Sequence, residues 1–78
     1  MTLRLLWDFR GPNAQGIAEH FVNHLRTYAQ RHELEDPPMG ALENRPGWWS
    51  AYLEAPEADF PELKKHLKPH RVIQVTDE

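Results

Sequence analysis

His20 and His24 stand four residues apart, the separation that stacks two side chains on one face of a helix. Two imidazoles in that relation have the spacing of a pair of metal ligands. The zinc-protease pattern puts a glutamate directly after the first histidine to act as general base. Here the segment reads His20-Phe21-Val22-Asn23-His24, so that base is missing, and spacing identifies no third ligand. With Phe21 at the centre of an apolar stripe, His24 lies about 60° and His20 about 100° round the helix. Both then sit at the boundary between core and water, and neither a metal nor another cofactor is expected.

A second group lies where a first strand meets a first helix. Asp8, Arg10, Gly11, Asn13 and Gly16 cluster there, and the free N–H groups of a helix N-terminus attract anions. The segment Gly11-Pro12-Asn13-Ala14-Gln15-Gly16 has no Gly-Lys-Ser/Thr after it, so it is not a phosphate loop. A tight turn with Asn13 as helix N-cap explains every residue in it. Asp8, Asn13, His20 and His24 together make an alternative, ligand-binding reading. No nucleophile elbow, carboxylate pair or Ser-His-Asp order stands out, so catalysis is not the expected role.

The third group is aromatic. In Trp48–Glu54, alternation puts Trp48, Ser50, Tyr52 and Glu54 on one face and Trp49, Ala51 and Leu53 on the other. Both faces carry aromatics, so alternation alone does not decide which is buried. If Trp48 and Tyr52 face away from the helices they lie on an open sheet face, joined by Arg4 and Arg10 of the first strand. Trp and Arg are enriched at binding hot spots, and an exposed apolar patch often marks an interaction site. The plain alternative is a small cluster in which Arg and Glu stems shield the sheet. RNA-recognition modules stack bases on sheet aromatics, but their glycine- and aromatic-rich third-strand motif is absent here.

These groups are positioned by six elements. Residues 2–10 alternate with period two, placing Leu3, Leu5, Trp7 and Phe9 on one face and Arg4, Asp8 and Arg10 on the other, with Leu6 the exception. Residues 14–32 repeat apolar positions as a helix does: Ala14, Ile17, Ala18, Phe21, Leu25, Tyr28 and Ala29. Residues 33–40 are a loop, broken by Asp36-Pro37-Pro38. Two strands, 41–43 and 48–54, flank a turn at Asn44-Arg45-Pro46-Gly47, where glycine suits the positive φ of a type II turn. Residues 57–68 read as a second helix, with Asp59 and Glu62 spaced like a capping box and Phe60, Leu63 and Leu67 as its stripe. A last strand spans 71–76, before the acidic Asp77-Glu78. Lys64, Lys65, His66, Lys68, His70 and Arg71 form a basic run, read as a solvated helix face.

The order is β-α-β-β-α-β in one domain of 78 residues. Two helices on one face of a four-stranded antiparallel sheet bury that face, giving a two-layer α+β sandwich of ferredoxin-like topology with strand order 4-1-3-2. The chain has no cysteine, so disulfides and thiolate chemistry are excluded. A net charge of −3 disfavours nucleic acid and anionic membranes as partners. No segment has the apolar length of a membrane span or the pattern of a signal peptide, so the cytoplasm is the expected location. The expected role is a small interaction or regulatory domain. Its open face, with Trp48, Tyr52, Arg4 and Arg10, would serve a homodimer or a protein partner.

Overall fold

The computed structural model of the protein describes residues 1–75. Its elements are β1 (Thr2–Arg10), α1 (Ala14–Arg31), β2 (Met39–Arg45), β3 (Trp48–Pro56), a 3₁₀ turn (Glu57–Asp59), α2 (Phe60–Leu67) and β4 (Arg71–Val75). The sheet order is β2-β3-β1-β4 and every pairing is antiparallel. Read from the other edge, this is the expected 4-1-3-2. Residue 76, the expected last residue of the final strand, and Asp77-Glu78 lie outside the described residues.

Register decides the two faces of the sheet. Leu3, Leu5, Trp7 and Phe9 stand opposite Ala55, Leu53, Ala51 and Trp49. Leu5, Trp7, Ala51, Leu53 and Ala55 form the buried core with Val22 and Leu25 of α1 and Leu63 of α2. Both helices therefore cover this face. Arg4, Leu6, Asp8 and Arg10 stand opposite Glu54, Tyr52, Ser50 and Trp48 on the open face. The Trp7 indole N–H donates to the carbonyl of Leu67 at 2.8 Å, tying the first strand to the end of α2.

Several boundaries move. β2 begins at Met39, inside the expected loop, because Met39 and Gly40 pair with Leu53 and Tyr52. β3 continues to Pro56, since β1 offers partners as far as Thr2. Asn44 and Arg45 belong to β2, where a bulge falls between Glu43 and Arg45, and the turn is confined to Pro46-Gly47. Gly47 has the positive φ (79°) that the expected turn requires. The second helix starts as a 3₁₀ turn and becomes α-helical only at Phe60.

The buried stripe of α1 is Ala14, Ala18, Val22, Leu25 and Ala29. Its mean direction is rotated by about 40° from that of the expected one. Ile17, placed in the core by spacing, is 47% exposed. Small alanines let the helix sit close to the sheet, while Phe21 flanks it and packs on Trp7 and Phe9 at ring-centroid distances of 5.0 and 5.6 Å. Neither expected cap forms: Asn13 and Asp59 occupy N-cap positions but make no side-chain cap bond. The Ala14 N–H instead reaches the carbonyl of Gly11 at 3.2 Å. Among the described residues no helix is long and apolar enough to cross a membrane.

Candidate functional site

The open face carries a connected polar network beside its aromatic and aliphatic side chains. At its centre is Asp8. Arg71 Nε and Nη2 donate to Asp8 Oδ2 and Oδ1 at 2.8 and 2.9 Å. The hydroxyl of Ser50 donates to Asp8 Oδ1, and the Trp48 indole N–H reaches the same oxygen at 3.3 Å. Asn44 Nδ2 donates to Ser50 Oγ at 2.8 Å, so a fully buried serine links β2 to β1.

Partial burial acts to raise the pKa of the Asp8 carboxyl. The bond from Arg71, then those from Ser50 and Trp48, and the Arg71 charge outweigh it and hold the pKa at about 2. Asp8 is therefore an ionised, donor-saturated group that anchors its neighbours. A carboxylate so stabilised is a poor general base.

Trp48 is half-buried. The guanidinium of Arg10 lies 4.4 Å from its ring centroid and that of Arg71 lies 5.6 Å away. Further along the face, Arg4 stacks over Tyr52 at 5.0 Å and pairs with Glu54 at 2.6 Å. Trp48, Tyr52, Arg4 and Arg10 thus share one surface. Leu6, which broke the alternation, lies among them and is only 3% exposed; its register neighbours are Tyr52 and Arg71.

The alternative group does not assemble. Asp8 points to the open face, Asn13 is exposed at the start of α1, and His20 and His24 are exposed on α1, with the core between them and Asp8. The two histidines do meet each other. Their Nε2 atoms are 3.0 Å apart, with one ring donating to the other. Among the described residues no group of three or more His, Asp or Glu side chains is arranged to hold a metal ion.

Sequence reasoning places Ser50 and Glu54 on this face without giving either a role, and misses Arg71 as a member of it. Arg71 was grouped with the basic run of α2, but that run divides. Lys64, Lys65 and His66 stay exposed on α2, Arg71 turns onto Asp8, and His70 Nδ1 accepts the Asp8 backbone N–H at 2.9 Å. The signal in reach was the strand reading of 71–76, which removes Arg71 from any helix face. A further cluster also went unread: Tyr28 stacks on His32 at 4.0 Å and its hydroxyl shares a hydrogen bond with His66 Nδ1 at 2.9 Å. Burial, then the charge of Glu62, pushes the Tyr28 hydroxyl above its ordinary pKa.

Comparison with protein-family models, with curated proteins and with solved structures yields no match for this chain.

Proposed function

We propose that the protein is a small interaction domain that docks an acidic, partly apolar segment of a protein partner on its open sheet face, with Trp48 and Arg10 as the anchor. One observation carries this reading. Two guanidiniums flank Trp48, and only that of Arg71 is engaged by a carboxylate. Arg10 is exposed, stacked on the ring, and makes no ion pair among the described residues. A stacked guanidinium is pre-ordered, so less side-chain freedom is lost when it receives a carboxylate. The half-buried indole beside it offers apolar area.

Charge supports an acidic partner. The open face holds Arg4, Arg10 and Arg71 against Asp8 and Glu54, and both carboxylates are already paired. The net charge of −3 disfavours a long polyphosphate backbone more than a short acidic segment, which brings fewer charges.

The test is a ¹⁵N-NMR titration with a short peptide alternating glutamates with leucine and phenylalanine. A shift of the Trp48 indole N–H that weakens with salt and disappears in Arg10→Glu is the expected result. A response to oligouridylate in place of the peptide would move the reading to single-stranded RNA. Silence toward both would remove it.

A further inference from the structure

We propose that the free edge of β4 pairs with β4 of a second copy, antiparallel about a two-fold axis at Ile73, making one continuous eight-stranded sheet. This inference concerns a different surface from the docking face and does not depend on it.

The direction of the backbone groups follows from register. β1 pairs with β3 as Thr2 with Pro56 through Arg10 with Trp48, and the bond from Gly11 N to Gly47 O at 2.9 Å continues that register. In an antiparallel ladder, residues that exchange hydrogen bonds with one neighbour alternate with residues that face the other. The odd residues of β1 therefore bond to β3, and Thr2, Arg4 and Leu6 turn toward β4. Their partners there are Val75, Ile73 and Arg71. This leaves the N–H and C=O groups of Val72 and Gln74 aimed outward from the sheet.

The edge also exposes apolar side chains, and its one charged residue, Arg71, is drawn onto Asp8. Val72 and Ile73 are 38% and 43% exposed, on opposite faces of the strand, and are two of the four exposed large hydrophobic residues among those described. The other edge strand, β2, follows Pro37-Pro38 and carries a bulge and the charges of Glu43 and Arg45. These are the devices that keep strand edges from pairing. Arg71–Val75 contains no proline, no lysine and no bulge.

The occupant that fits is a second copy, because the strand is complementary to itself when reversed. A two-fold axis at Ile73 sets Val72 against Gln74 of the other copy, twice. These are the residues whose backbone groups point outward, so they form the two hydrogen-bonded pairs. Ile73 then meets Ile73 in a non-hydrogen-bonded pair, the kind that brings side chains closest, with Cα atoms roughly 4.5 Å apart. Antiparallel pairing also sets Arg71 of each copy against Val75 of the other, whereas parallel pairing in register would set Arg71 against Arg71.

The experiment is solution mass by size exclusion with light scattering, from micromolar to millimolar chain, on the intact protein and on Gln74→Pro and Ile73→Lys. Gln74→Pro removes an outward N–H and leaves the β1–β4 bonds in place; Ile73→Lys sets two positive charges together on the axis. The 9.2 kDa chain is expected to double in mass as concentration rises, and both variants to stay single with unchanged circular dichroism. A single-chain mass at every concentration would overturn the proposal. So would doubling that survives both variants, or that is lost in Arg10→Glu and kept in Gln74→Pro, which would move the interface to the open face. Should Gln74→Pro fail to fold, amide exchange at Val72 and Gln74 decides. Protection that grows with concentration is expected, and protection independent of concentration overturns the pairing.

Discussion

Arg71 grips both carboxylate oxygens of Asp8, at 2.8 and 2.9 Å, and so fastens β4 to a stretch of β1 that the β4 backbone does not reach. The β1–β4 ladder stops at Leu6 with Arg71. Beyond it, His70 takes the Asp8 N–H and Arg71 takes the Asp8 side chain, so two consecutive residues hold one. The fork is bidentate, but the Arg71 side chain is 41% exposed, which limits its strength. Arg71→Ala should lower stability by about 1 kcal/mol. Arg71→Lys should recover little of it, because an ammonium does not reproduce the two-point geometry. Urea midpoints read both effects, and β4 amides should exchange faster in each variant.

Acid should separate Asp8 from the other carboxylates. Its folded-state pKa of about 2 lies below its ordinary value of 3.8. A depressed carboxyl contributes stability that is complete above the ordinary value and is lost as pH falls through the folded one. The contribution should therefore disappear between about pH 4 and 2, and solvent access at Arg71 keeps it near about 1 kcal/mol. Asp8→Asn lacks this acid limb, so the stabilities of the two proteins should converge toward pH 2 in urea titrations at stepped pH. A gap of constant size would contradict the assignment.

Trp7→Phe should cost about 1–2 kcal/mol. The ring is 2% exposed and its N–H satisfies the Leu67 carbonyl at the last residue of α2. Phenylalanine leaves that acceptor without its donor. Thermal unfolding gives the cost, and faster amide exchange confined to α2 would locate it.

Gly40→Ala tests how closely β2 approaches Tyr52. A Cβ at residue 40 would stand 3.0 Å from the Tyr52 hydroxyl oxygen and 3.2 Å from two ring carbons. The ring must shift, and with it the surface on which Arg4 stacks. A loss of about 1 kcal/mol is expected from such overpacking, with a changed Tyr52 ring environment in the NMR spectrum.

Trp48→Ala separates the two roles of the open face. The ring is half-buried and lies outside the core cluster. Peptide affinity should fall by roughly tenfold or more, while the urea midpoint moves modestly. The opposite order of effects, with a large loss of stability and little of binding, would make Trp48 a core residue.

Much of this architecture was legible in the residues themselves. Period-two alternation in 2–10 and 48–54 divided each strand into two faces before any contact was known, leaving open which face of 48–54 is buried, and proline and glycine marked the breaks. These patterns are local: a strand's alternation is written in consecutive side chains, whatever it pairs with. The grouping of Trp48, Tyr52, Arg4 and Arg10 followed from alternation plus the expectation that helices cover a single face.

What only the tertiary structure decided are the quantities set by distant partners. The rotation of α1 that exposes Ile17 and buries Val22 depends on the surface the helix meets, since its apolar residues span more than one possible stripe. The extension of β3 to Pro56 depends on how far β1 runs beside it. Asp8 and Arg71 are 63 residues apart, and nothing local marks them as partners. Sheet order makes β1 and β4 neighbours, register sets Arg71 opposite Leu6, and the length of the guanidinium arm carries it the two further residues to Asp8. Charge in a sequence states what a residue offers. Which residue receives it is decided by register, because a shift of one position would turn Asp8 to the other face of the sheet.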